Sequence, residues 1–215
     1  MRVYGFCGKK GSGKDTTASF LKEELELSGF KVKTIAFADR LKEMCQEFSG
    51  LGREYFYEPE LKECLCDVNG YYATPREIMQ KFGTEFIQGE MGWKQFWANY
   101  VSQEIAAALD SGEYDFFFVT DVRFDHEVDV IRAYDGNLIH VTKDIEYSFP
   151  QTLWQKLKKF INEMQLHESE KCMVDYMEAS DHVVNNSYDL NSLSLRCEDL
   201  AMRMALDYNC KKGIE

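Results

Sequence analysis

The stretch "GKKGSGKDT", Gly8 to Thr16, sets Gly8, four residues, Gly13 and Lys14 in line. Glycines at that spacing let successive backbone N–H groups turn inward on phosphate oxygens. A helix opening there adds its positive dipole end, and the lysine reaches the outer phosphates of a nucleotide. Gly8, Lys9, Lys10, Gly11, Ser12, Gly13, Lys14, Asp15, Thr16 and Thr17 therefore form a candidate phosphate-binding loop. Such loops usually carry Ser or Thr after the lysine, where a hydroxyl meets magnesium, but this chain has Asp15. A carboxylate facing phosphates is repelled unless a cation lies between them, and magnesium accepts oxygen ligands of either kind. Asp15 is thus expected on the magnesium side, with Thr16 giving its hydroxyl to a phosphate. The competing reading makes Asp15 a helix cap and leaves the metal to Thr16.

A second chemical signal is "FFFVTDVRFDHEVD", with Asp121 at the carboxyl end of an apolar run. Ligands of open α/β sheets sit at that end, and an acid there can hold a magnesium complex. Arg123 leaves the same edge two residues later, where its planar fork suits a phosphate. The structural alternatives are a helix cap for Asp121 and an ion pair to Asp125 or Glu127 for Arg123. Lys10, Lys42 and Arg76 also fall at loop ends or helix starts, Arg76 directly after Pro75. Trp93 and Trp97 share an apolar helical face and read as core rather than as a stacking platform. His126, His140, His167 and His182 show no ligand spacing, and Cys64 with Cys66 lacks the second pair a zinc site needs.

These residues need elements to position them. "RVYGFC" reads as a strand running into the glycine loop, and "KDTTASFLKEELELSG" as a helix with Phe20, Leu21 and Leu25 on one side and Gly29 at its end. "KVKTIAF" and "DRLKEMCQEF" continue as strand and helix, a βαβ opening. "REIMQKFGTEFIQ" and "WKQFWANYVSQEIAAAL" space their apolar residues as helices. "YDFFFVTD" is a strand buried on both faces, "NLIHVTK" and "DHVVNN" are two more strands, and "DLNSLSLRCEDLAMRMALDY" is a closing helix. Five strands alternating with helices predict a parallel α/β sheet in a single domain over residues 1–215. Ser49 to Thr74 reads as an irregular insertion. The long polar stretch from Lys143 to Ser180, with a helix in "FPQTLWQKLKKFINEM", reads as a lid leaving the end of a strand.

Composition bounds the partners. The 215 residues are 45% hydrophobic and 29% charged, ordinary usage for a folded domain. The net charge of −12 argues against a long nucleic acid or an anionic membrane surface as partner, so an anionic ligand must be small and met by local basic groups. The first residues lack the apolar run of a signal peptide, no stretch approaches a membrane span, and the seven scattered cysteines suit reduced thiols. The expectation is a soluble cytoplasmic protein.

Several blocks together resemble the bacteriophage deoxynucleoside monophosphate kinases, a branch of the nucleoside monophosphate kinase-like P-loop NTPases. They are "GKKGSGKDTTASF", "FADRLKE", "TPREIMQKFGTEFI", the tryptophan of "KQFWANYV", "VTDVRFDHEVDVIRA" with "IHV", and "HESE". The resemblance implies a five-stranded parallel sheet flanked by helices, ATP and Mg2+ as cofactors, and transfer of the γ-phosphoryl group to a deoxynucleoside monophosphate in the host cytoplasm. By this likeness Lys10, Gly13, Lys14, Asp15 and Thr16 belong to the phosphate site. Lys42, Arg76, Gly83, Trp97, Asp121, Arg123 and Glu127 surround the acceptor, with Lys14, Arg123 and Asp121 as the catalytic set and Asp15, Thr16 and Asp121 on the metal. The family also makes a homodimer plausible. The lid stretch contains Lys156, Lys158 and Lys159 but no arginine, leaving Lys143, Arg123 and Arg132 as candidates to neutralise the transferring group. The "SGKD" loop also resembles animal-type phosphomevalonate kinases. A nucleotide-gated switch is a third reading, although no N-K-x-D guanine motif is present.

Overall fold

A computed structural model describes residues 1–9, 11–143 and 179–213. Lys10 and nearly all of the expected lid, including its "FPQTLWQKLKKFINEM" helix, lie outside the described residues. The chain divides into two compact units, one of Met1–Ile35 with Ile105–Glu215, the other of Ala36–Glu104.

In the first unit, β1 (Arg2–Cys7), α1 (Lys14–Leu27) and β2 (Val32–Ile35) open the chain. In the second unit come α2 (Asp39–Ser49), α3 (Glu54–Tyr57), the hairpin strands β3 (Cys66–Val68) and β4 (Tyr71–Ala73), and α4 (Pro75–Met79). The helix α5 (Phe96–Ser111) runs from the second unit back into the first. There follow β5 (Phe116–Val119), α6 (Asp125–Ala133), β6 (Asn137–Thr142), β7 (His182–Asn185) and α7 (Leu190–Lys212).

The five long-range strands form one sheet in the order β2-β5-β1-β6-β7, every neighbouring pair parallel. This is the expected parallel α/β sheet, and its apolar runs are continuous because both faces are covered. On one face Tyr4, Phe6, Phe116, Phe118, Ile139 and Val141 pack with Leu21 and Leu25 of α1 and Cys197, Met204 and Tyr208 of α7. The buried positions of α1, Thr17, Ala18, Leu21 and Leu25, recur at helical spacing, which is what fixes that face toward the sheet. On the other face, a Cβ at Gly5 would lie 2.9 Å from Ile131 Cγ1 and from Val122 Cγ2, so glycine there admits α6 and the turn before it.

Arg132 of α6 has a structural task rather than the catalytic one considered for it. Its guanidinium donates to the Gly136 carbonyl at 2.9 Å, the Ala179 carbonyl at 2.8 Å and Asp181 Oδ2 at 2.7 Å. The same Asp181 oxygen accepts from Leu138 N at 2.7 Å, so the pair pins the start of β6 to the chain entering β7.

In the second unit, the stretch Ser49 to Thr74 is more ordered than its sequence suggests. It holds α3, a 3₁₀ turn at Leu61–Glu63, and the β3–β4 hairpin, closed by Asn69 and Gly70 with φ of 54° and 86°. Two positive-φ residues in a two-residue loop match the right-handed twist of the flanking strands. Thr74 caps α4 with its hydroxyl on Glu77 N while Glu77 answers on Thr74 N, and Pro75 follows at the first helical position. The expected single helix of "REIMQKFGTEFIQ" instead widens after Met79 into a π-helix, Gln80–Glu90.

Candidate active site

The strand β1 ends at Cys7 and delivers the chain into the glycine loop, and α1 begins at Lys14 with Gly13 as its cap residue. Gly13 has φ of 92°, a left-handed conformation that disfavours a side chain, and a Cβ there would lie 2.2 Å from Asn186 Nδ2. Gly8 is equally constrained, since a Cβ would meet the Val141 carbonyl oxygen at 2.3 Å. Asn186, just past β7, donates its side-chain amide to the Ser12 carbonyl at 2.9 Å, while its backbone N–H donates to Thr142 O at 2.7 Å. The sequence reading took "DHVVNN" only as a strand. An amide side chain at the carboxyl edge of the sheet was the available signal for this contact.

Within the loop, Lys14 Nζ donates to the carbonyl of Gly8 at 2.8 Å and to that of Lys9 at 3.2 Å. Burial lowers the pKa of Lys14, and the charge of Arg123 lowers it further, whereas Asp15, Asp121 and the Cys7 side chain act to raise it. Lys14, Asp15, Asp121 and Arg123 therefore share one electrostatic neighbourhood, at the carboxyl ends of β1 and β5. Thr17 is buried and returns its hydroxyl to the Gly13 carbonyl at 2.9 Å, which fixes the first turn of α1 and keeps this hydroxyl on the backbone. Ser12 Oγ is buried without a hydrogen-bond partner among the described residues.

Asp15 is exposed in the first turn of α1, but the cap position belongs to Gly13. Asp15 borders a hollow of about 270 Å³ together with Ala18, Ser19, Lys22, Thr34 and Thr120, so it faces the ends of β2 and β5. Asp121 is no cap either: α6 starts at Asp125, and Phe124 precedes it as the cap residue. Arg123 is exposed and makes no ion pair among the described residues, unlike the surface pairing with Asp125 or Glu127 that was the alternative.

Glu127 is buried, with 6% of its surface exposed, and its Oε2 accepts from the backbone N–H groups of Arg123 at 2.6 Å and Phe124 at 3.1 Å. It therefore holds the turn that presents Asp121 and Arg123. Burial and then the Asp121 charge push the Glu127 carboxyl up to about 8, against the pull of those two N–H bonds.

The second unit contains the other expected acceptor residues. Lys42 pairs with Asp39 at 3.0 Å, and its ammonium lies 4.3 Å from the Tyr57 ring centre. Arg53, which sequence reasoning did not single out, lies 4.0 Å from the centre of the same ring. Arg76 pairs with Glu63. Gly83 sits in the π-helix where a Cβ would lie 2.6 Å from Leu41 Cδ2, and its carbonyl accepts from Trp97 Nε1 at 3.4 Å. Trp97 is 7% exposed and meets Phe96 edge to face at 4.8 Å, so these two residues are packed into their own unit.

The residues suit a phosphate chain and a hard divalent cation. The glycines keep open a cradle that side chains would fill, the Ser12 hydroxyl is unpartnered among the described residues, and Asp15, Thr16 and Asp121 offer an all-oxygen set of the kind magnesium takes.

In three dimensions the chain is similar to dephospho-CoA kinase from Campylobacter jejuni, with a TM-score of 0.51, 16% identity, and coverage of 95% of this chain and 98% of that one. That likeness concerns the fold, a P-loop kinase fold. In sequence it is 30% identical over 149 residues to a putative deoxynucleotide monophosphate kinase of Acanthamoeba polyphaga mimivirus, covering 66% of this chain and 75% of the relative. It is 34% identical over 68 residues to the deoxynucleotide monophosphate kinase of Enterobacteria phage T4, covering 32% of this chain and 27% of that protein. The deoxynucleotide monophosphate kinase profile matches residues 52–196, well over half of the sequence and downstream of the glycine loop. With the loop before that match and Asp121, Arg123 and Glu127 inside it, the chain belongs to the deoxynucleotide monophosphate kinase family.

Proposed function

We propose that this chain transfers the γ-phosphoryl group of ATP to a phosphate oxygen of a deoxynucleoside monophosphate, giving the diphosphate and ADP. The observation that carries the reading is the convergence of the Lys14, Asp15, Asp121 and Arg123 charges at one edge of the sheet, in a chain of this family. Phosphoryl transfer asks little covalent chemistry of a protein, so positioning and charge neutralisation carry the rate. Lys14 exchanges the carbonyls of Gly8 and Lys9 for the β- and γ-phosphates, and the loop N–H groups face the same oxygens. Asp15, with Asp121 in the outer shell, would hold a magnesium ion, which would supply positive charge to the phosphate chain. Thr16 donates its hydroxyl to a phosphate.

On the acceptor side, Arg123 offers the monophosphate a planar fork that has no ion pair among the described residues. In the second unit, Lys42 and Arg76 are each paired with a carboxylate, Asp39 or Glu63. No side chain needs to act as a strong base, because the acceptor atom is already a phosphate oxygen. The ligands are small nucleotides, in keeping with a net charge of −12 that opposes polymeric nucleic acid.

The test is an acceptor panel: purified protein with ATP, magnesium and, separately, dGMP, dTMP, dCMP or phosphomevalonate, measuring ADP formed. ADP formation that depends on a deoxynucleoside monophosphate supports the proposal. ADP formation only with phosphomevalonate, or at a slow rate that no acceptor changes, overturns it.

A further inference from the structure

The phosphate loop is held from outside by a residue far from it in sequence. Asn186 Nδ2 reaches the Ser12 carbonyl at 2.9 Å, and its own backbone N–H is fixed on Thr142 O at 2.7 Å. The partner is a carbonyl, which only accepts, so the side-chain NH2 and not its oxygen must face the loop. The Ser12–Gly13 peptide is planar and trans, which sets the Ser12 C=O and the Gly13 N–H on opposite sides of one rigid plate. Pinning the oxygen toward Asn186 therefore turns the Gly13 N–H the other way, and that N–H has no acceptor among the described residues. The same amide occupies the space of a Gly13 Cβ, at 2.2 Å, so the clasp and the glycine require each other.

We infer that Asn186 is a positioning residue for nucleotide binding: it clasps the Ser12 carbonyl so that the Gly13 N–H is presented to the phosphate chain of the bound nucleoside triphosphate. The residue acts through the loop and not on the base or sugar. Because its backbone is tied to the end of β6, the clasp transmits the position of the β6 and β7 ends to the loop. The inference rests on the loop's reading as the ATP site.

The experiment compares the wild type with Asn186→Asp and Asn186→Ala, using ATP and tripolyphosphate as calorimetric probes and steady-state kinetics as a second readout. Tripolyphosphate has the phosphates without base or sugar. Loss of one positioned hydrogen bond of the usual net strength predicts about fivefold weaker binding of both probes by Asn186→Ala. Asn186→Asp should be weaker still, since a carboxylate repels both the carbonyl and the phosphates. KM for ATP should rise while KM for the acceptor stays within about twofold, because the clasp acts on the N–H that faces the triphosphate. Affinity loss confined to ATP, with tripolyphosphate unaffected, shows a contact to the nucleoside and overturns the inference. Unchanged affinities overturn it as well, and failure of both variants to fold shows an anchor of the sheet instead and does the same. A wild type that binds neither probe refutes the ATP reading of the loop itself, an outcome distinct from any behaviour of the variants.

Discussion

Lys14 Nζ lies 2.8 Å from the carbonyl oxygen of Gly8 and 3.2 Å from that of Lys9, so the ammonium is satisfied by the backbone of its own loop. Under the proposed function those two carbonyls stand in for phosphate oxygens, and a nucleotide must displace them. The exchange is favoured because a phosphate oxygen carries net negative charge, which adds a Coulomb attraction to the ammonium that a neutral carbonyl does not supply.

Replacing Lys14 by alanine removes that contact at the point where charge develops. The expected loss is about 10²–10³ in kcat, the usual cost of deleting one such donor. The two carbonyls are left to water, which should change stability by only about 1 kcal/mol. Turnover together with thermal melting checks both halves of the prediction.

Asp15→Asn separates metal binding from helix support. Gly13 holds the cap position, so the amide should cost the helix little beyond the dipole interaction of about 0.3–1 kcal/mol. Loss of a charged ligand should raise the magnesium concentration for half-maximal rate by about tenfold or more, by analogy with the 10–100-fold cost of disturbing a metal's supporting groups. A magnesium titration of activity reads this directly, and an unchanged half-point removes Asp15 from the metal.

Arg123 carries no ion pair among the described residues, so its substitution should leave stability within about 0.5 kcal/mol. Arg123→Lys keeps the charge but loses the bidentate fork, and the expected result is a higher KM for the acceptor and lower turnover despite the conservative exchange. KM for ATP serves as the internal control.

Glu127 should make stability depend on pH. Its carboxyl is raised to about 8 by burial and by Asp121, above an unfolded value of about 4.3. The folded state thus binds a proton that the unfolded state releases between those values. This contribution is fully present below about 4.3 and is lost as pH rises through about 8. Glu127→Gln stays neutral and can still accept from Arg123 N and Phe124 N, so its melting temperature should fall less across pH 5 to about 8.5 than that of the wild type. Parallel melting curves for the two proteins would show that Glu127 does not titrate there.

The strands were legible because each is a continuous apolar run, as "FFFV" of β5 shows, and a sheet buried on both faces leaves that signature. Less visible was α6, whose apolar face in "DHEVDVIRA" is interrupted by acids that answer to the turn before it rather than to helical periodicity. The π-helix escaped because the four-residue spacing of Phe82 and Phe86 lies between periods of 3.6 and 4.4 residues and fits either. The β3–β4 hairpin had its signal in Asn69-Gly70, obscured by flanking strands of only three residues in which Cys66 alone is buried. At the site, the loop is a local motif, and the carboxyl-edge rule for α/β sheets brings Asp121 and Arg123 to it. For Asn186 the signal was only an amide at the carboxyl edge of the sheet, and its partner stands 174 residues away. The expectation that Glu127 contacts the acceptor came from likeness alone, and its side chain is occupied by backbone N–H groups of the turn.

The place of β1 between β5 and β6 also sets a timetable for the growing polypeptide. Arg2 pairs with Phe116 and Tyr4 with Asn137, so the strand leading into the glycine loop is synthesised long before either neighbour exists. Until β5 and β6 emerge, both of its edges are open, and a nascent chain in this state offers unpaired backbone to any other strand it meets. Closing parallel pairs across such sequence separations is slow compared with forming local helices. Competence to hold a nucleotide therefore arrives late in biosynthesis, and a ribosome that stalls before Phe116 releases a product that is aggregation-prone and without catalytic power.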